Sequence, residues 1–468
     1  MEIKMPIRAA PFAHQKEAYA AALTALENGS GYALLMEMGT GKTLTTIAIA
    51  GTLWQTRRIQ RILIVAPLSI LGVWRDEFEK FATFDYSLAV LEGSGAKKAD
   101  ALRNMRGAGL QVAVVNYESA WRLEKEIAAW KPDLIIADEG HKLKTHNTAV
   151  SKAMHKLGLK AKYKLLLTGT VITNKAIDIF SQYKFLDPTI FGNSFYSFRN
   201  KYFDMTGYGL YTPVLKKSME SELMWRLHSI AYRATKAECL DLPETTDIIR
   251  YVELEPSAMR IYRELVKENY AQLERGEITA SNILTKILRL SQLTGGFLNN
   301  DDGDPQRIST VKMTALEDIV DVAAAEDKKL VVVAHFVPEV KAICKMLEKC
   351  NIRYSCIYGD VKNRTEQVAA FQTDTDVRVM VGQITTIGLG LTLTAASTLV
   401  FYSENYSMSD FEQTKSRIHR NGQTEPCTYI YLTARGTVDE QVLKALRGKA
   451  DLARTLVDDY RKGGRIFG

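Results

Sequence analysis

Short apolar runs alternate with longer amphipathic stretches along most of the chain. In the first half the runs are Tyr32–Met36, Arg61–Ala66, Gln111–Val115, Leu134–Asp138 and Lys164–Thr168. In the second half they are Lys329–Ala334, Arg353–Tyr358, Val377–Gly382, Thr398–Ser403 and Thr428–Leu432. Near-continuous apolar runs of this length read as strands buried on both faces, with helices between them. Five strands followed by five more predict an α/β chain with two parallel-sheet lobes rather than one large sheet. The repeat is one of architecture, since no sequence period accompanies it.

From about Asp178 to Ser309 the texture changes and reads as helical. Its first part is dense in aromatics, among them Phe180, Tyr183, Phe191, Phe198 and Tyr202, interleaved with Arg199 and Lys201. Such a cluster can serve as a base-stacking platform, but aromatics at helical spacing usually pack, and a small helical core is the expectation. Asn299–Pro305, rich in Asn, Asp and Gly, reads as an exposed loop.

A length of 468 residues allows two to four domains at roughly 150 residues each. With 46% hydrophobic and 25% charged residues, a wholly disordered chain is excluded. No apolar run approaches the roughly 18 residues of a membrane-spanning helix. Met1–Gln15 carries no secretory h-region, so a soluble protein without a membrane partner is expected. Lys and Arg outnumber Asp and Glu by 61 to 54, a balance compatible with a polyanionic partner but common in general. Cys239, Cys344, Cys350, Cys356 and Cys427 show no metal-site spacing, which predicts buried free thiols in a reducing compartment.

Candidate chemistry follows the first strand directly. Glu37-Met38-Gly39-Thr40-Gly41-Lys42-Thr43 precedes a helical pattern, Leu44–Leu53, which is the strand–loop–helix setting of a phosphate loop. Gly39 and Gly41 free backbone N–H groups to turn around phosphate oxygens, and the helix N-terminus adds its dipole. Lys42 would reach the β- and γ-phosphates and Thr43 would ligate Mg2+. Met36 occupies the position of the usual first glycine. Leu134–Asp138 and the residue after it then supply two carboxylates: Asp138 to hold Mg2+ and Glu139 to accept a proton from attacking water, with a plain helix N-cap the minor alternative beside a phosphate loop. In the second half, Arg417 and Arg420 are three apart and predict one basic helical face aimed at a γ-phosphate.

In order, these motifs resemble the Swi/Snf family of helicase superfamily two, in a compact bacterial- or phage-like form, over roughly Pro11–Asp459. Besides the phosphate loop, the resemblance rests on Pro11–Gln15, Leu63–Ile70 with Trp74, Val115–Glu118, Asp138–His141, Leu167–Thr170, Phe185–Pro188, Arg233–Lys236, Gly388–Ala396 and Gln413–Gln423. Val171 replaces a customary proline, Ile387 a glycine, Thr392 an asparagine and Asn421 an isoleucine. The resemblance implies two RecA-like lobes with helical insertions. They are expected at 1–235, with a protrusion about 176–230, and at 236–468, with an insertion about 255–300. It implies that Gln15 reads adenine and that Gly39, Thr40, Gly41, Lys42 and Thr43 hold ATP. Thr43 and Asp138 would hold Mg2+, Glu139 would be the base, and Arg420 the arginine finger assisted by Arg417. His141, Thr168, Gly169, Thr170 and Gln413 would couple the site to movement. Ser69, Asn116, Lys144, Gly388, Thr392 and Thr394 would touch DNA.

The implied activity is that of a DNA-dependent ATPase, with ATP hydrolysis driving translocation along double-stranded DNA independently of sequence. Strand-separating helicase action on DNA or RNA is the runner-up, and a nucleotide-gated DNA-binding scaffold is the non-enzymatic reading. Intact Lys42, Glu139 and Arg420 argue against the scaffold. The resemblance fits a monomeric motor in the cytoplasm, nucleoid-associated or in the host cytoplasm for a viral chain. It fits repair, recombination or remodelling of protein–DNA complexes equally well, with any targeting protein a separate chain. The lysines at 152, 156, 160, 162 and 164 read as a solvated face.

Overall fold

A computed structural model describes residues 4–169, 176–206, 212–275, 280–300, 304–359, 361, 363–388 and 390–448. The chain forms two compact units, Met1–Asp241 and Leu242–Gly468. The strands of the first are β1 (Tyr32–Met36), β2 (Arg61–Ala66), β3 (Tyr86–Val90), β4 (Leu110–Asn116), β5 (Leu134–Asp138), β6 (Tyr163–Leu167), β7 (Phe203–Thr206), β8 (Thr212–Leu215) and β9 (Ala231–Ala234). Seven of them make one sheet in the order β3-β4-β2-β5-β6-β1-β9. Every pairing in it is parallel. All five residues of β1 and of β5 are buried, which is why both runs carry no polar alternation before Asp138.

The second unit contains β10 (Thr245–Val252), β11 (Phe297–Asn299), β12 (Pro305–Arg307), β13 (Leu330–Ala334), β14 (Tyr354–Ile357), β15 (Val379–Gln383), β16 (Thr398–Phe401) and β17 (Cys427–Ala434). Six form a second parallel sheet, β10-β17-β16-β13-β15-β14. Two α/β units with parallel sheets are therefore present. Each sheet holds more strands than the five expected.

The stretch between the two strand sets is only partly helical. It includes β9 and β10 and two antiparallel pairs, β7 with β8 and β11 with β12. The expected loop at Asn299–Pro305 is flanked on both sides by the strands of the second pair, and Asn300 N–H donates to Asp304 at 2.9 Å. Residues 301–303 lie outside the described residues. In the first part, helices Ile179–Leu186 and Phe195–Tyr202 bury Phe180, Tyr183, Phe198 and Tyr202. The Phe198 ring lies 5.2 Å from both Phe180 and Phe191, so these aromatics pack as a core. Tyr196 alone among them stands well out, 65% exposed, with the Arg199 guanidinium 5.2 Å from its ring.

The chain leaves the first unit later than position 235 because β9 is the edge strand of the first sheet, and the short helix after it, Lys236–Cys239, is bound to the phosphate loop. Lys152, Lys156, Lys160 and Lys162 are exposed, as a solvated face requires, while Lys164 is half-buried. The cysteines depart from expectation. Cys427 is buried, Cys350 is exposed, and Cys239, Cys344 and Cys356 are half-buried. None of the five is in a disulfide. Among the described residues no helix is long and apolar enough to cross a membrane.

Candidate active site

β5, β6 and β1 are neighbours, so the turns at their carboxyl ends converge at one edge of the sheet, where ligands of open α/β sheets collect. After β1 the chain turns through Gly39 (φ 86°) and Gly41 (φ 90°), left-handed conformations that favour glycine. The helix that follows runs Lys42–Gln55 and so begins two residues before the expected start. Lys42 Nζ donates to the Met36 carbonyl at 2.7 Å and the Glu37 carbonyl at 3.3 Å, which holds the ammonium inside the loop. Thr43 is half-buried at the second position of the helix.

Gln15, expected to read adenine, is buried against the same loop. Its Nε2 donates to the Thr40 carbonyl at 3.0 Å, and His14 Nε2 lies 2.8 Å from that oxygen. A Cβ at Gly41 would overlap the Gln15 amide, so a side chain there would displace that amide from the Thr40 carbonyl, besides straining the left-handed backbone. Thr40 is itself buried and donates its hydroxyl to the Glu37 carbonyl at 2.7 Å.

Asp138 closes β5 and is buried. Its Oδ2 accepts from the indole N–H of Trp74 at 3.0 Å, and its Oδ1 accepts from the Glu139 N–H at 2.9 Å. The Tyr117 hydroxyl donates to the Asp138 carbonyl at 2.7 Å. Burial, with the Glu139 charge beside it, pushes the Asp138 carboxyl up to about 7, against the pull of the Lys42 ammonium and the Trp74 hydrogen bond. That Lys42 acts on Asp138 sets the two motifs within one electrostatic field. Glu139 takes a left-handed backbone (φ 50°), uncommon for a side chain of its kind, and its carboxylate lies 3.2 Å from His141 Nδ1.

Thr168 follows β6, fully buried, with its N–H bonded to the Leu34 carbonyl at 3.1 Å. A Cβ on Gly169 would stand 3.6 Å from Lys42 Nζ, so this turn abuts the phosphate loop. Thr170 lies outside the described residues. Lys42, Asp138, Thr168 and Gly169 are thus brought together, with Glu139 and His141 adjoining.

Two site features had no separate role in the sequence reading. Trp74 holds Asp138, and Glu37 Oε2 accepts from the Lys236 N–H at 2.9 Å. Both belong to motif segments, but a hydrogen bond between distant segments leaves no periodic or spacing signal.

Of the residues expected on DNA, Lys144 is exposed, Thr392 and Thr394 are half-buried, and Gly388 is buried. Asn116 is also buried, donating to Glu118 at 3.1 Å. Ser69 lies in the single turn Leu68–Ile70.

In the second unit, the expected helical face at Arg417 and Arg420 is not formed, because the helix Met408–Lys415 has already ended. The Arg417 carbonyl accepts from the Leu393 N–H at 3.0 Å instead. Its buried guanidinium donates to the Gly388 carbonyl at 2.7 Å, and Arg420 donates to the Leu391 carbonyl at 3.1 Å. Gln413 Nε2 donates to Ser409 at 3.0 Å.

Residues 14–295 match the model of the SNF2-related domain. The chain belongs to this family. Residues 311–422 match the helicase conserved C-terminal domain, so the pair of domains is that of a helicase-like ATPase. The SNF2-related chain is 27% identical over 443 residues to an uncharacterized ATP-dependent helicase of Mycoplasma genitalium, covering 92% of this chain and 41% of the relative. It is 26% identical over 489 residues to a DNA repair and recombination protein, RDH54, of Saccharomyces cerevisiae, covering 93% and 52%. The chain therefore spans about half the length of the curated relatives it matches. A SWI2/SNF2 ATPase core of Sulfolobus solfataricus in complex with double-stranded DNA is 26% identical, with a TM-score of 0.49 and coverage of 100% and 96%.

Proposed function

We propose that this SNF2-related chain hydrolyses ATP in a DNA-dependent manner and uses the energy to translocate along double-stranded DNA without reading its sequence. The observation that carries the reading is the convergence of the phosphate loop after β1 and Asp138–Glu139 after β5 at the carboxyl end of one parallel sheet, with only β6 between the two strands. The donor set fits its ligands: a lysine inside a glycine-bearing loop, a helix N-terminus for phosphate, and a buried carboxylate for a hard cation.

In this reading Lys42 exchanges the Met36 and Glu37 carbonyls for phosphate oxygens, and Gly39 to Thr43 present backbone N–H groups to them. Thr43 and Asp138 would hold Mg2+, which would supply positive charge to offset that of the phosphates. Glu139 takes the proton of the attacking water, with His141 Nδ1 3.2 Å from its carboxylate. Arg420 of the second unit supplies positive charge to the hydrolysed phosphate. Arg417, buried on the Gly388 carbonyl, shapes the glycine-rich loop proposed to meet the DNA backbone. Contacts of that kind are to phosphates and carry no sequence code. RDH54 is named for DNA repair and recombination, and repair or recombination is the setting we propose, in the cytoplasm at the nucleoid.

Steady-state ATPase should be measured with no nucleic acid, single-stranded DNA, duplex DNA and RNA across a salt series. Strong stimulation by duplex DNA that fades as salt rises is the expected result. Preference for single strands or RNA would favour the strand-separating reading, which the helicase name of the Mycoplasma relative also suggests. Absence of turnover with every polymer would overturn the enzyme reading.

A further inference from the structure

Away from the nucleotide site, the second unit holds two thiols in contact. Cys344 lies on the helix Val337–Lys349 and Cys356 on β14, and their sulfurs are 3.4 Å apart. Both residues are half-buried, so neither sulfur is sealed in the core. β14 is an edge strand, paired only with β15 within the sheet. One side of the contact therefore has more freedom to shift than an inner strand would allow. A disulfide needs sulfurs at about 2.05 Å, so closure brings the two side chains together from the present contact.

Cys344 Sγ donates to Cys356 Sγ, and the Tyr354 hydroxyl donates to Glu348 at 2.7 Å. Burial opposes ionisation of both thiols. Either sulfur can attack the other, since each lies against its partner. Cys350, the C-cap residue of the same helix, is exposed, which makes it an internal control for simple accessibility.

We propose that Cys344 and Cys356 form a redox-modification site that closes to an intramolecular disulfide when the chain meets an oxidant of the peroxide class. One thiolate of the pair attacks a peroxide oxygen, so that an S–O bond forms and the O–O bond breaks. The departing hydroxide (or alkoxide) takes up a proton, leaving a sulfenic acid on that cysteine. The other sulfur then attacks the oxidised sulfur, forming S–S and breaking S–O. The hydroxide released combines with the second thiol's proton as water. With hydrogen peroxide the balance is two thiols and one peroxide giving one disulfide and two waters. The bond fastens the helix to the edge strand and rests on the geometry of this unit alone, independently of any DNA reading.

The test uses the full chain treated with hydrogen peroxide, quenched, alkylated and digested with trypsin. Cleavage places Cys344 on Ala342–Lys345, Cys350 on Cys350–Arg353 and Cys356 on Tyr354–Lys362, three separate peptides. The expected product is the first peptide joined to the third, two hydrogens lighter than their sum, and restored to separate peptides by dithiothreitol. It should form before Cys350 is consumed and persist in Cys350→Ser. In Cys356→Ser or Cys344→Ser, a dimedone adduct should collect on the remaining cysteine of the pair instead. Loss of Cys350 while the other two thiols remain fully alkylatable would overturn the proposal. So would linkage of Cys344 or Cys356 to Cys350 in preference to each other.

Discussion

The indole N–H of Trp74 is hydrogen-bonded to Oδ2 of Asp138 at 3.0 Å, a contact between two segments 64 positions apart. Indole is a donor only, so the bond fixes that oxygen as an acceptor and sets the angle of the carboxylate. The other oxygen is held by the Glu139 N–H. Trp74→Phe keeps the ring in its buried slot and removes the N–H. A hydrogen bond to a charged group is worth about 1.5 kcal/mol or more, which corresponds to roughly tenfold in an equilibrium constant. The Mg2+ concentration that half-saturates ATPase is expected to rise by about that factor. Nucleotide binding measured in EDTA should stay unchanged. An unaltered Mg2+ requirement would reduce Trp74 to core packing.

Glu139 is poised differently from its neighbour. Its left-handed backbone swings the carboxylate out of line with β5 and toward His141. Glu139→Gln preserves shape and removes the base, so hydrolysis should fall by about 10²-fold or more, the usual scale of general-base catalysis. ATP binding, followed by a fluorescent nucleotide analogue, should persist. Turnover at the native rate would move the base to another residue.

Glu37 connects the phosphate loop to the chain leaving the first unit. Its carboxylate caps the Lys236 N–H, beside the Thr235–Glu238 capping box of the same short helix. Loss of a capping acceptor costs about 1 kcal/mol. Glu37→Ala should therefore lower the thermal midpoint of the protein by a few degrees, and Glu37→Gln, which retains an acceptor oxygen, should lower it less. Equal midpoints for the two variants would show that the cap contributes nothing.

The three strands of the two main sheets that went unread in the sequence, β3, β9 and β10, are all sheet edges. Every residue of β3 is only half-buried, and the first four of β10 are exposed. An edge strand is relieved of two-sided burial, so it loses the continuous apolar run that revealed β1 and β5. The phosphate loop and the acidic pair were legible because their chemistry is local in sequence. Arg417 misled for the opposite reason: three-residue spacing suggested a helical face, but its carbonyl is engaged by the Leu393 N–H and its guanidinium by the Gly388 carbonyl. Those partners are tertiary, and no spacing rule encodes them.

The second unit buries more acid than one lysine can neutralise, and this gives stability a defined pH dependence. Lys312 and Asp439 pair at 2.6 Å, both almost fully buried. Near them, burial pushes the Glu339 carboxyl up to about 7 and that of Glu404 to about 8, although Lys312 pulls both down. Folded values raised above the unfolded ones mean that the folded state binds more protons. The contribution is complete below the ordinary glutamate range and is lost as pH rises through 7 to 8. His335, held below its ordinary value by burial, acts in the opposite sense, but only below about 6.5. Between about pH 6.5 and 8 the thermal midpoint should therefore fall as pH rises. Glu404→Gln, neutral at every pH, should flatten that slope. Scanning calorimetry of both proteins across the range provides the measurement, and a midpoint that climbs toward pH 8 in the native chain would show that these carboxyls ionise freely in the fold.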